Sequence, residues 1–192
     1  MIHLTPWHLK RLALVCTLSF LSYSLFRLKT YTIVYEELIA NQSAEVLGEF
    51  VADFSNLRKL NPTILEFYVT KEHGNYEHWQ YSVKYKEVLS QLSFITNVAD
   101  ASIQVLPSTK TRPEFIILSH HVTCFFDSYF TCVRSESEFK FLQRDQDVIG
   151  MEKVHFQCPA IMSAFCHREV LFQRQEIFDN LKKMFSNKII AE

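Results

Sequence analysis

The stretch "SAEVLGEFVADFSNLRKLNPTILEF", Ser43 to Phe67, decides the fold. Val46, Phe50, Phe54 and Leu57, with Leu47 and Val51, recur at steps of three and four, the spacing of a short amphipathic helix for which Ser43 stands as N-cap. Ser55 offers a cap for a second, shorter turn through Leu60. Pro62 removes a backbone donor and biases Asn61 away from helix, so the helical detour ends there and "TILEFYVT" leaves as a strand. The segment before it, "TYTIVYEELIA" from Thr30 to Ala40, is rich in β-branched and aromatic residues and reads as a strand as well.

Beyond Phe67 the pattern stays extended. In "EHWQYSVKYKEVL" Trp79, Tyr81, Val83 and Tyr85 alternate with Gln80, Ser82, Lys84 and Lys86, so aromatic bulk falls on one face and polar groups on the other. "LSFITNVADASIQVL" places Ile95, Ala99, Ala101, Ile103 and Val105 on one parity. "EFIILSHHVTCFF", "SYFTCVRS", "SEFKFLQR" and "DVIGMEKVHFQ" follow with short turns, which implies an antiparallel meander. Pro159 closes the last strand. The remaining segment, "AIMSAFCHREVLFQRQEIFDNLKKMF", holds no glycine or proline and predicts one long helix. Its apolar stripe is broad, drawn through Ile161, Ala164, Phe165, Arg168, Phe172, Gln175, Phe178, Leu181 and Phe185. The expected class is α+β: a curved antiparallel sheet of six to seven strands wrapped around a long C-terminal helix, with two short helices after the first strand.

Residues 1–29 are a separate physical object. "LALVCTLSFLSYSLF", Leu12 to Phe26, is uncharged and flanked by Lys10, Arg11, Arg27 and Lys29. It reads as a membrane-directed segment, either an uncleaved signal anchor or a signal peptide cleaved after Ser24. Residues 30–192 then form a single domain. The expected location is a membrane of the secretory pathway, or the exterior if the segment is cleaved. Asn41-Gln42-Ser43 is a glycosylation sequon, whereas Asn61-Pro62-Thr63 is excluded by its proline. Cys124, Cys132, Cys158 and Cys166 give an even count that an oxidising compartment could pair, and four buried thiols would explain it equally.

Composition excludes several classes. The formal net charge of -1 supplies no basic footprint for a phosphate backbone, so no nucleic-acid partner is expected. The three glycines, Gly48, Gly74 and Gly150, lie far apart, which rules out a phosphate-cradling loop.

The element order, together with Asp53-Phe54-Ser55-Asn56-Leu57 and Asn61-Pro62, resembles the START-like helix-grip superfamily of polyketide cyclase, pollen-allergen and lipid-transfer relatives. The resemblance spans roughly Thr30 to Phe185. It implies an apolar cavity between sheet and helix, and the two small helices would plug one open end of the grip. Parity nominates as its lining Trp79, Tyr81, Tyr85, Ile95 and Ile103 from the sheet and Phe165, Phe172 and Phe178 from the helix; the alternative is a filled core. Glu152 shares the inward parity of Val148, Val154 and Phe156. There it orients a ligand or serves as a base, or it sits at a rim or pairs with a basic neighbour.

No catalytic residue, metal or cofactor is assigned. His120 and His121 are adjacent on a strand and leave opposite faces, so they cannot chelate one ion, and no cysteine–histidine set has zinc spacing. The expected function is binding or transfer of a hydrophobic small molecule, a lipid or sterol, by a protein tethered to a membrane through Leu12 to Phe26. The alternatives are a cyclase- or hydrolase-type enzyme in the same cavity, or an adaptor that binds no ligand.

Overall fold

The computed structural model describes residues 6–75, 78–126, 128 and 131–189. An N-terminal helix α1 (Pro6–Phe26) leads into strand β1 (Leu28–Ile39), the short helices α2 (Ala44–Ala52) and α3 (Phe54–Leu60), and then six further strands. These are β2 (Ile64–Asn75), β3 (His78–Leu89), β4 (Leu92–Leu106), β5 (Phe115–Phe125), β6 (Cys132–Arg144) and β7 (Asp147–Pro159). A single 3-10 turn, Ala160–Met162, precedes the long helix α4 (Ser163–Ile189).

All pairings are antiparallel, in the order β1-β7-β6-β5-β4-β3-β2. The first strand crosses to pair with the last, and only β1 and β2 are edges. The segments "SYFTCVRS" and "SEFKFLQR" merge into the one strand β6, because Ser135, Glu136 and Ser137 pair without interruption to both β5 and β7. The result is seven strands curled around α4, with α2 and α3 covering the inner face: an α+β helix-grip arrangement.

The spacing of Ser43–Leu60 gave both helices, while the capping is built differently. Ser43 makes no side-chain cap; the amide of Ala44 donates instead to Gln143 Oε1 at 2.9 Å, pinning α2 to β6. Asp53, not Ser55, caps α3, its carboxylate accepting from the Ser55 amide at 2.8 Å. One glycine explains how α2 sits so near the sheet: a Cβ on Gly48 would lie 2.3 Å from the Phe115 ring. The core runs from Leu47, Val51 and Phe54 through Phe115, Phe139 and Phe141 to Phe178, Leu181 and Phe185 of α4.

Two disulfides form. Cys124–Cys132 staples the β5–β6 connection, and Cys158–Cys166 ties the end of β7 to the first turns of α4. Cys16 is free and exposed on α1. Helix α1 is exposed along its length, and its Trp7–Phe26 segment is long and apolar enough, by length and composition, to cross a membrane. At 21 residues it extends about 31 Å, near the thickness of a hydrocarbon core. The helix starts before the uncharged run and takes in Lys10 and Arg11, the latter stacking on the Trp7 ring at 3.4 Å.

Candidate functional site

Between α3, α4 and the inner face of the sheet lies a cavity of about 80 Å³. Phe54 and Leu57 of α3 and Ile177 of α4 close one side, and Tyr81, Ile103, Ile117 and Phe139 face them from the sheet. Its floor is polar. The Tyr85 hydroxyl lies 3.0 Å from His121 Nδ1, and His121 Nε2 lies 2.8 Å from Ser119 Oγ. Ser119 Oγ lies 2.8 Å from Ser137 Oγ. Ser137 in turn interacts with the carboxylate of Glu152, whose Oε1 accepts from Arg174 Nη1 at 2.5 Å. The Tyr85–His121–Ser119–Ser137 chain thus ends beside the Glu152–Arg174 ion pair, which reaches the central helix.

Burial sets the protonation of this chain. Desolvation pushes His121 down to about 4, assisted by Arg174 and by the neighbouring His120, so its imidazole is neutral at physiological pH. The same desolvation drives the Tyr85 hydroxyl well above its ordinary value. Glu152, 3% exposed, is raised by burial, against which Arg174 and Ser137 favour its charged form. At the cavity edge Glu87 is raised to about 7 by burial and by the nearby charge of Glu169, with Arg174 opposing. Glu169 itself accepts from the Ser90 amide at 2.9 Å and from its hydroxyl at 2.6 Å, fastening α4 to the β3–β4 turn.

Among the described residues, several buried polar atoms lack a hydrogen-bond partner: Glu152 Oε2, Arg174 Nε, Arg112 Nε and both amide atoms of Asn97. The first two belong to residues that line the cavity. Buried polar groups are nearly always satisfied, so these two atoms call for a water or another polar group in the cavity.

The nominated residues divide four ways. Tyr81, Tyr85, Ile103 and Glu152 do line the cavity, and Glu152 does so paired with a base. Trp79 lies elsewhere, in a second cleft of about 420 Å³ with Ala52, Val105, Pro107 and Phe115. It stacks on Tyr81 and donates from Nε1 to Glu72 Oε1 at 2.9 Å. Phe178 is fully buried in the core, against Tyr35 and Phe139, outside the cavity lining.

Phe165, Phe172 and Ile95 are the corrections: all three are half-buried and line neither space. At about 100° per residue, Phe172 and Phe165 fall roughly 120° and 140° around the helix from Phe178. Where α4 lies in the grip its inward face runs through Arg174, Ile177, Phe178, Leu181 and Phe185, while nearer its N-terminus the Cys166 disulfide and the hydrogen-bonded Glu169 carboxylate fasten other sides of the helix. Ile161, Ala164, Arg168 and Gln175, drawn into the stripe by spacing, are exposed. Ile95 sits where β4 runs past the end of β5, beyond the Asn97–Phe125 pair.

The functional residues that spacing missed are His121, Ser119, Ser137, Glu87 and Arg174. The strand alternation did separate the adjacent histidines: His121 faces inward, while His120 is exposed beside Glu136 at 3.5 Å. A serine–histidine contact is therefore present, but a phenol rather than a carboxylate orients the imidazole. The β5 backbone around it is committed to the sheet ladder, leaving no amide pair to stabilise an oxyanion. Among the described residues no group of three or more histidine, cysteine or carboxylate side chains is placed to hold a metal ion.

No family model matches the sequence, and no curated protein matches it. Solved structures do match. A START superfamily protein from Mycobacterium smegmatis aligns at a TM-score of 0.54 and 11% identity over 81% of this chain and 97% of that one. The Zhui aromatase/cyclase from a Streptomyces species aligns at 0.58 and 8% identity over 84% and 96%. Ara h 8.0201 aligns at 0.52 and 13% identity over 81% and 98%. The chain has the START-like helix-grip fold.

The titration of Glu87 is separable from the rest. Between the unfolded carboxylate value and about 7 the native state keeps a proton that the unfolded chain has released, so stability from this group is lost as pH rises through that window. Glu87→Gln is expected to raise stability by roughly 1–2 kcal/mol at pH 8 and to leave it unchanged at pH 4. Urea titrations at the two pH values check this; an equal effect at both would assign the shift to packing.

Proposed function

We propose that this protein binds a small amphipathic molecule, a lipid or sterol, inside the helix grip while α1 tethers it to a membrane. The observation that carries the reading is the cluster of polar side chains, Tyr85, His121, Ser119 and Ser137 with the Glu152–Arg174 pair, on one side of a cavity whose other wall holds Phe54, Leu57, Ile103, Ile117 and Ile177. A hydroxyl or carboxyl head satisfies those polar groups, and an apolar body gains about 25 cal/mol per Å² removed from water. The START superfamily, aromatase/cyclase and Ara h 8 neighbours support the same class of use.

The inner cavity of about 80 Å³ takes only the head group. The second cleft of about 420 Å³, walled by Trp79 and Phe115, is of the size that small-molecule sites need for the body. The Tyr81 ring lines the inner cavity and stacks on Trp79 of the cleft, and its hydroxyl donates to the Ala52 carbonyl at 2.5 Å.

Mass spectrometry of solvent extracts from the intact protein, set against the lipid mixture it was purified from, tests the reading. One amphiphile is expected to be enriched at least tenfold, and to fall to background in Ile103→Phe, which fills the lined space. Identical extracts from both chains would leave the grip a solid interior.

The compartment follows from the same reading. Two disulfides persist in an oxidising lumen, and Asn41 is exposed on a tight turn at the rim opposite α1, open to glycan transfer. A signal anchor facing the domain into the secretory lumen accommodates both. A mobility shift reversed by endoglycosidase and abolished by Asn41→Gln is the expected result.

A further inference from the structure

The register of the sheet brings one set of exposed groups to a single rim. Leu28 pairs with Pro159 where β1 begins and β7 ends, β5 ends at Phe125 opposite Asn97, and the β3–β4 hairpin turns at the same end. Helix α1 leaves from this rim with one residue, Arg27, between it and β1. Its last turn is tied down: the Arg27 amide donates to the Tyr23 carbonyl at 2.9 Å, and the Ala160 amide donates to the Arg27 carbonyl at 3.1 Å. The junction is therefore part of the 3-10 turn and the sheet, and no linker separates the domain from the helix.

Large apolar side chains stand out from this rim without covering anything. Phe94 is 80% exposed on the β3–β4 hairpin, and Phe126 is 70% exposed at a left-handed position, φ 57°, after β5. Ile161 and Met162 are exposed on the 3-10 turn that α1 adjoins. Around them lie Arg27, Lys29, Arg134 and Arg168, whereas the opposite rim mixes Glu45, Glu114, Asp145 and Asp147 with Lys110, Arg112 and Arg144.

Resting on the tethered reading above, we infer that this rim is a second, peripheral membrane contact: Phe94, Phe126 and the Ile161–Met162 turn enter the headgroup layer of the bilayer that holds α1 while the arginines and lysine meet its phosphates. A domain joined rigidly to a membrane helix has its near rim at the bilayer surface by geometry. Aromatic tips ringed by cations suit that interface, where apolar insertion and electrostatic attraction act together. The docked domain holds the cleft beside Trp79, at the far rim, pointing away from the bilayer that carries it.

The test uses the full chain, with Cys16 replaced by Ser, reconstituted into vesicles of phosphatidylcholine and phosphatidylserine. An environment-sensitive fluorophore is attached in turn at Phe94→Cys, Met162→Cys, Lys110→Cys on the far rim and Leu14→Cys within α1. Brominated lipids are expected to quench the labels at 94 and 162 to at least half the extent seen at 14, and not to quench the label at 110. Quenching at 14 with none at 94 and 162 would keep the tether and overturn the docking. No quenching at 14 would overturn the tether, and the docking with it.

Discussion

Arg174→Met is expected to destabilise the protein by about 3–5 kcal/mol near neutral pH, because it strands the Glu152 carboxylate in the core. The pair is shielded, with side-chain exposures of 13% and 4%, and Arg174 is the group that favours the charged form of Glu152 against burial. Without it the carboxyl answers by taking a proton. The loss is then largest at alkaline pH and shrinks as pH falls, since a neutral acid costs little to bury. Replacing both members with apolar residues, Arg174→Met with Glu152→Leu, is expected to recover most of the stability, because a buried ion pair gains little over a packed hydrocarbon. Urea denaturation of the four chains at pH 5 and pH 8 measures the cycle. If the two single changes were mild at both pH values, the pair would not be the buried element described here. The doubly apolar chain also separates stability from function: it is expected to fold and yet to lose the enriched amphiphile.

Phe178→Ala gives the other large effect, a loss of about 3–5 kcal/mol. The ring is fully buried where α4 lies deepest in the grip, with ring centroids 5.2 Å from both Tyr35 and Phe139. It is there because the strand beneath it has no side chain: a Cβ on Gly150 would stand 2.7 Å from the ring. Gly150→Ala alone is therefore expected to destabilise by roughly 1–3 kcal/mol through overpacking. In the Phe178→Ala background the same methyl enters the space the ring vacated, and Gly150→Ala is expected to change sign and restore part of the stability. Additive effects of the two substitutions, measured by thermal or chemical denaturation, would show that helix and strand do not meet at this point.

Much of this architecture was written in local chemistry. Pro62 stops α3, alternation through Trp79, Tyr81, Val83 and Tyr85 turns β3 the right way, and Pro159 ends β7 before the long helix. Each depends on neighbours a few residues away, so one chain suffices to read it. The candidate site was legible only in part, and for a physical reason. Alternation found Tyr81, Tyr85, Ile103 and Glu152 on the inner face, since period two leaves a strand residue only two choices.

Residues that carry the polar chain give no such signal. Ser119, Ser137 and His121 are polar at inward positions, and Arg174 breaks the apolar stripe of α4. Each becomes tolerable inside only because a partner from a distant segment meets it: Tyr85 for His121, Glu152 for Arg174. Phe165 and Phe172 mislead in the opposite sense. Their hydrophobicity marks them for burial, yet the face that packs through Arg174, Ile177, Phe178, Leu181 and Phe185 leaves both at the flanks of the helix.

The amino-acid order alone determined the kinds of element, their succession and the inner face of each strand, since these follow from backbone chemistry and side-chain period. Tertiary structure alone decided which face α4 turns inward, how little free volume remains beneath it, and which polar groups stand together there. Those outcomes depend on pairings between residues far apart in sequence, whose energies no local pattern contains.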